Sequence, residues 1–335
     1  MKLGLIGAGR IGKLHGEIVT YNFPEVDIKT VADIYTDQAK EWVEKLKIAN
    51  LTSDYKDILK DPEIDAVLIC SSTDMHAQMI IEAADAGKHI FCEKPIDFNI
   101  ERIRQALRAT EAASVKLQIG FNRRFDHNFR KVREIVANGN IGDVHIVKIT
   151  SRDPAPPPIE YVNVSGGIFL DMTIHDFDMA RYLSASDVDT VFAQGAVLID
   201  PEIGKVGDVD TAIITLTFKN GALGVIDNSR QAVYGYDQRV EVFGSKGCVD
   251  VRNDFPNSAV LSTADGVTRE KPHYFFLERY KTSYIEELKA FIEAVTRDEE
   301  TPVTGNDGLQ PVLIGLAALR SLKENRPVAV QEILA

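Results

Sequence analysis

Lys2-Leu3-Gly4-Leu5-Ile6-Gly7-Ala8-Gly9-Arg10-Ile11-Gly12-Lys13-Leu14-His15 is the stretch on which the fold turns. Its apolar residues 3–6 suit a buried parallel strand, Gly7-Ala8-Gly9 permits a tight turn, and Gly12 lets a helix beginning near Ile11 pack close to that strand. A helix N-terminus offers unpaired backbone N–H groups and a partial positive charge. A pyrophosphate can therefore lie against Gly9, Arg10 and Ile11 without any basic side chain. Glycine-rich turns also serve plain packing, so the motif alone is weak. The second apolar run, residues 28–32, supplies the context, because it ends in Asp33 about 20 residues beyond the last glycine, where a ribose-binding acid is expected. A carboxylate there accepts hydrogen bonds from ribose hydroxyls and repels a 2′-phosphate. Ile34 and Tyr35 supply no arginine to neutralise one, and the pattern predicts NAD rather than NADP.

Outward from this start, residues 1 to about 120 alternate strand and helix signals, the pattern of a parallel sheet covered on both faces. Strands are expected at 3–6, 28–32, 66–70, 89–91 and 117–120, with helical spacing at 37–46, 55–59, 76–86 and 100–113. Ligands bind at the carboxyl ends of such strands, which singles out the loops at 7–12, 33–35, 71–76 and 93–95. After Phe121 the alternation stops. A helix around 129–136 is followed by strands at 144–150, 191–198, 211–218, 222–229, 239–243, 249–251 and 259–262, with Asn220-Gly221 as a hairpin turn. Helices at 284–295 and 310–324 close the chain, around a loop at 301–308. The fold class is thus an α/β Rossmann dinucleotide-binding domain, residues 1–121, followed by an α+β domain, residues 122–335, whose C-terminal helices are free to pack back on the first domain. The second domain holds a large, mostly antiparallel open sheet, with one face under helices and the other available to a partner subunit.

Composition narrows the function classes. With 335 residues the chain has room for two cores, and 44% hydrophobic with 26% charged residues is ordinary for a globular protein. A net charge of -12 disfavours nucleic acid and anionic membranes, and no run approaches a membrane span. Cys70, Cys92 and Cys248 form no CxxC pair and read as buried thiols, and the scattered histidines supply no zinc set, so no metal is expected. The first strand begins at residue 2 or 3, leaving no room for a signal peptide, and the expected location is the cytoplasm.

Two places carry chemistry. Lys94 stands between Glu93 and Pro95 just after an apolar strand, at the sheet end where a nicotinamide should lie; a surface lysine in a loop is the plainer alternative. A cis peptide before Pro95 is allowed. Asp171 and His175, four apart after Gly166-Gly167, share one face of a helix if the stretch is continuous. Histidine accepts protons near neutral pH and a neighbouring carboxylate can orient it, although the same spacing also fits an ordinary surface pair.

Gly7-x-Gly9-x-x-Gly12-x-x-His15, Glu93-Lys94-Pro95 and Asp171-x-x-x-His175, in this order, resemble the glucose-fructose oxidoreductase / inositol dehydrogenase / rhizopine-catabolism oxidoreductase family over essentially the whole chain. Gly120-Phe-Asn-Arg123-Arg124-Phe, Ser151-Arg152-Asp153-Pro and the stretch from Asp171 to Arg181 resemble its bacterial inositol 2-dehydrogenase branch. The resemblance implies NAD-dependent oxidation of a cyclic polyol, myo-inositol to an inosose, with scyllo- or chiro-inositol or an aldose as alternatives, and a homotetramer. It implies His175 as general base, Asp171 orienting it, and Lys94 hydrogen-bonded to the reacting hydroxyl, with all three in contact with substrate. Arg124, Asp153 and Tyr236 would hold the ring, with Arg123 and Tyr234 as their competitors and Tyr280 and Tyr284 as further pocket candidates. The cofactor set is Gly7, Gly9, Arg10, Ile11, Gly12, Asp33, Ser71, Ser72, Thr73, Glu93 and Lys94. A rival of another class is a non-catalytic NAD-binding sensor, which a chain lacking Lys94 or His175 would favour.

Overall fold

The computed structural model describes residues 1–334, which form two compact units: residues 1–122 with 282–310, and residues 123–281 with 311–334. In the first unit, β1 (Lys2–Ile6), α1 (Arg10–Asn22), β2 (Asp27–Ala32), α2 (Thr36–Lys45), β3 (Asn50–Thr52), α3 (Lys56–Lys60), β4 (Ala66–Ile69), α4 (Thr73–Asp85), β5 (His89–Glu93), α5 (Ile100–Ala113) and β6 (Leu117–Gly120) follow in turn. All six strands are parallel, in the order β3-β2-β1-β4-β5-β6. The central strands are apolar throughout because helices cover both faces: Ala66-Val-Leu-Ile69 is wholly buried. The order reverses between β1 and β4, and the loops after β1, β2, β4 and β5 gather at that switch point. Residues 282–310 belong to this unit. Gln118 donates to the Glu287 carbonyl (2.8 Å), the Ile119 amide to that of Val303 (3.1 Å), and the Thr301 hydroxyl to that of Leu117 (2.6 Å). The free edge of β6 is thereby covered.

The second unit contains α6 (His127–Ala137), β7 (Val144–Arg152), α7 (Ile159–Val162), α8 (Gly167–Asp171), α9 (Ile174–Ser184), β8 (Val188–Ala196), α10 (Pro201–Lys205), β9 (Thr211–Phe218), β10 (Leu223–Ser229), β11 (Asp237–Gly244), β12 (Gly247–Val251), β13 (Val260–Thr263), β14 (Gly266–Arg269) and α11 (Phe276–Arg279). After these, α12 (Lys281–Arg297) and α13 (Gly305–Glu324) lead to β15 (Val328–Ala329). Its large sheet runs β12-β11-β7-β10-β9-β8-β15 and is antiparallel except for the β7–β10 pair. Asn220-Gly221 does turn the β9–β10 hairpin, with Gly221 at φ +88°. β9 alternates buried and solvent-facing residues, as a sheet covered on one face must.

Three expectations need correction. Residues 259–262 do not join the large sheet; β13 pairs only with β14, and every residue of that ribbon is exposed, so neither strand has an apolar face to bury. The helical stretch from Asp171 to His175 is broken, because the Met172 and Thr173 amides both turn back to the Ile168 carbonyl and α9 starts afresh at Ile174. Met172 and Thr173 keep right-handed helical dihedrals, so His175 still follows Asp171 by about one turn. Cys248 is exposed, since it points outward from the edge strand β12; Cys92 is buried and Cys70 partly so. β3 and β15 are strands of three and two residues with no apolar run to betray them.

Candidate active site

At the carboxyl end of the parallel sheet, the turn after β1 is built on glycine for steric reasons. Gly7 has φ +93°, and a Cβ there would lie 2.6 Å from the Cys70 carbonyl oxygen; a Cβ on Gly12 would lie 1.9 Å from the Gly7 oxygen. A Cβ on Gly9 would meet, among the described residues other than its chain neighbours, no atom within 4 Å, so that side of the turn is open. Gly9 is the N-cap of α1 and offers its first turn no side-chain acceptor, and Ser72 likewise leaves the first turn of α4 without one. The Asp33 carboxylate accepts from the Ala8 amide (2.6 Å) and from the Tyr35 amide (2.7 Å), which fixes it beside the glycine turn with oxygen lone pairs to spare. A dinucleotide fits this donor and acceptor set: open backbone at Gly9 for the pyrophosphate and a pinned carboxylate for a ribose diol.

Lys94 follows β5, half-buried, and the Lys94–Pro95 peptide is cis. Its neighbour Glu93 is held by the fully buried His15, whose Nε2 lies 2.7 Å from Glu93 Oε1 and whose ring packs edge-on against Phe91 and Tyr284. His15 is thus a buried support of the Glu93-Lys94-Pro95 turn. Glu287 joins it: one ligand-type atom each from His15, Glu93 and Glu287 lies within 4.8 Å of the others. Burial, reinforced by the Glu93 charge, pushes the Glu287 carboxyl well above the usual range. His76, inside the first turns of α4, ties two loops together, with Nδ1 2.8 Å from the Pro95 oxygen and Nε2 3.0 Å from the Ser71 oxygen. Burial lowers its pKa, and a neutral ring donates to one of these carbonyls at a time.

The second unit carries a buried polar network around α8 and α9. Arg123 donates to Asp176 (2.5 Å) and to the Tyr236 hydroxyl (3.2 Å). Asp176 also accepts from Asn228 (2.9 Å), which in turn accepts from Thr173 (2.6 Å). Burial opposes the Arg123 charge, but Tyr236, Tyr280 and Asp176 outweigh it and hold its pKa above the ordinary value. Arg124 grips Asp178 through Nε (2.9 Å) and Nη2 (2.6 Å) and lies over the Tyr182 ring. Tyr236 is buried and edge-on to Tyr280, whereas Tyr234 is exposed and donates to Asp237 (2.6 Å). Asp171 accepts from the Tyr161 hydroxyl (2.9 Å), and its Oδ2 lies 3.6 Å from Arg230 Nη1. Burial raises the Asp153 carboxyl to about 7, with Asp171 and Asp176 adding to the rise and Arg230 and Arg123 opposing it.

Residues 1–121 match the oxidoreductase family with an NAD-binding Rossmann fold, and residues 129–250 match the GFO/IDH/MocA C-terminal domain. Over 337 residues, all of both chains, the protein is 51% identical to the myo-inositol 2-dehydrogenase of Thermotoga maritima. It is 56% identical over 328 residues, 98% of this chain and 96% of the other, to the Bacillus subtilis oxidoreductase YrbE. The chain belongs to the GFO/IDH/MocA oxidoreductase family. Its structure superposes with a TM-score of 0.93 on the scyllo-inositol dehydrogenase of Lactobacillus casei with bound NAD(H) and scyllo-inositol, at 29% identity and 99% coverage of both chains.

Within this GFO/IDH/MocA chain, the sequence-expected residues divide by unit. Gly7, Gly9, Arg10, Ile11, Gly12, Asp33, Ser71, Ser72, Thr73, Glu93 and Lys94 lie in the first, at or next to the sheet's carboxyl end; Arg124, Asp153, Asp171, His175 and Tyr236 lie in the second. Sequence reading missed His76 and Glu287 in the first unit, and Asp176, Asp208, Asn228 and Arg230 in the second. Asp176 was within reach, being the residue after His175; Arg230 stands between Ser229 and Gln231, where no local pattern marks it. Among the described residues, no helix is long and apolar enough to cross a membrane.

Proposed function

We propose that this protein oxidises myo-inositol to the corresponding inosose with NAD, residues 1–121 serving as the cofactor domain, with 282–310 packed back on them, and the rest of 122–335 as the substrate and oligomerisation domain. The observation that carries this reading is the 51% identity, over the full length of both chains, to a myo-inositol 2-dehydrogenase. The pinned Asp33, the open turn at Gly9, and the presence of Lys94, Asp171 and His175 support it. When bound, NAD supplies the hydride acceptor. Gly7, Gly9, Arg10, Ile11 and Gly12 hold the pyrophosphate, Asp33 the adenosine ribose, and Ser71, Ser72, Thr73, Glu93 and Lys94 the nicotinamide end.

Oxidising a secondary alcohol requires a base for the hydroxyl proton. His175 takes that proton, Asp171 orients the ring and stabilises its cation, and the Lys94 ammonium stabilises the alkoxide that develops on the same oxygen. Asp153 and Tyr236 bind ring hydroxyls; Arg124 does so alongside its pair with Asp178. A scyllo-inositol dehydrogenase of the same fold favours the neighbouring isomer as the second reading. Activity and substrate are separated by NADH absorbance on mixing protein with NAD, or NADP, across inositol isomers and aldoses. Fast NAD reduction with myo-inositol is expected, with Lys94→Ala about 100-fold slower or worse while still binding NAD. Turnover with scyllo-inositol alone would move the substrate, and silence across the panel despite tight NAD binding would leave a sensor.

We further propose assembly into a homotetramer through the open face of the large sheet, where Ile213, Leu223 and Phe243 are exposed, and a cytoplasmic location.

A further inference from the structure

We propose that Arg230, braced by Asp208, is a positioning residue that fixes the place and charge of Asp171. The inference rests on the reading of Asp171 and His175 given above, and starts from a side chain that reading does not use. Arg230 is only 1% exposed. Its root is fixed: it follows β10 directly, and its amide donates to the Asp210 carbonyl (2.8 Å). Asp210 is itself locked by the amides of Leu198, Ile199 and Asp200.

The guanidinium is less completely satisfied. Nη1 lies 3.6 Å from Asp171 Oδ2 and Nη2 3.7 Å from Asp208 Oδ2, within ion-pair range but beyond hydrogen-bond range. Among the described residues, Nε and Nη2 have no hydrogen-bond acceptor. Asp208 in turn accepts from the Ile168 amide with both oxygens (3.1 Å each). Gly167 makes this approach possible, since a Cβ there would lie 2.8 Å from Asp208 Oδ1. The connection closes on itself: Asp208 holds the start of α8, Asp171 is its last residue, and Arg230 joins the two. Asp153 is a third carboxylate under the same cation, which works to keep it ionised.

A buried cation with unspent donors costs stability unless its charge is used. Here one guanidinium offsets three carboxylates whose mutual repulsion would otherwise displace Asp171. Among the groups facing Asp171 are Tyr161, Arg230 and Asp153, and those around Asp153 add Arg123 and Asp176. Slack contacts at such sites tighten when substrate binds, so the brace is expected to act on kcat more than on KM.

The test compares Arg230→Met, Arg230→Lys and Asp208→Asn with the parent in two readouts: pH profiles of kcat and kcat/KM, and the His175 imidazole titration by NMR, assigned with His175→Gln. Losing the cation leaves net negative charge around the imidazolium. In Arg230→Met the His175 midpoint and the acid limb of the profile should both rise by about one pH unit, with kcat down tenfold or more. Arg230→Lys should restore the midpoint but not kcat, and Asp208→Asn should lower kcat several-fold with KM and midpoint unchanged. An unmoved midpoint in folded Arg230→Met overturns the proposal. If that variant does not fold, parental kcat in both other variants overturns it instead. Should the parent oxidise no inositol while the His175 midpoint still moves in Arg230→Met, the brace stands and the functional reading fails.

Discussion

Asp153 shows how a single residue's surroundings write themselves into measurable behaviour. Its carboxyl is raised to about 7, first by burial and then by Asp171 and Asp176, against the pull of Arg230 and Arg123. In the unfolded chain the same group titrates near 3.9. Between those two values the unfolded state has lost a proton that the native state keeps, so native stability falls as pH rises from about 4 to about 7. Asparagine has no such proton to lose. Asp153→Asn is therefore expected to match the parent's Tm at pH 4 and to exceed it at pH 8, read by calorimetry at both pH values. Equal Tm differences at the two would mean that burial does not set the carboxyl's behaviour. At this scale the sequence was most legible where geometry is local: Asp33, directly after β2, does lie beside the glycine turn, and Lys94 does follow β5 directly, before a cis proline. Arg230 and Asp208 were not legible, because their partners are Asp171, Asp153 and the Ile168 amide, brought to them by tertiary structure alone.

The elements obey the same division. The β1 turn was readable because its glycines answer steric demands inside one short loop. Gly12 and Gly9 nevertheless answer different ones, which gives a paired prediction. A methyl on Gly12 collides with the Gly7 carbonyl, a backbone atom that cannot swing aside, so Gly12→Ala should lose about 1–3 kcal/mol of stability or more. A methyl on Gly9 meets nothing within 4 Å among the described residues beyond its chain neighbours. Gly9→Ala should keep the parental Tm and yet weaken NAD(H) binding, followed by NADH fluorescence titration, because the space it fills is where a pyrophosphate would lie. Unchanged affinity in Gly9→Ala would place the cofactor phosphates elsewhere. Elements whose reason for existing is non-local were harder to read. β15 is two residues that pair with β8, and nothing in Val328-Ala329 announces it. The β13–β14 ribbon has strand-like residues but no buried face, so its sequence could not say that it stands apart from the large sheet.

On the scale of the whole molecule, strand register turns an alternating pattern into a surface. Phe243 pairs with Ile146 on β7, Ile146 with Leu223 on β10, and Leu223 with Thr217 on β9. These four side chains therefore form one row across the open face, and the next row brings Glu241 and Lys148 together at 2.7 Å. Phe243 and Leu223 are 44% and 54% exposed in the single chain, a large apolar cost at the centre of a sheet face unless another surface covers it. A second copy of the same face is self-complementary, since an apolar row meets an apolar row and Lys148 and Glu241 can pair across a two-fold axis. This face is accordingly expected to join chains in pairs within the proposed tetramer, whose mass of four chains light scattering would read. Leu223→Glu combined with Phe243→Glu places repelling carboxylates in the row and should reduce that mass to smaller species, with far-UV circular dichroism unchanged because both positions already face outward. A parent of single-chain mass, or a double variant that stays tetrameric, would show that this face is not what holds the subunits together.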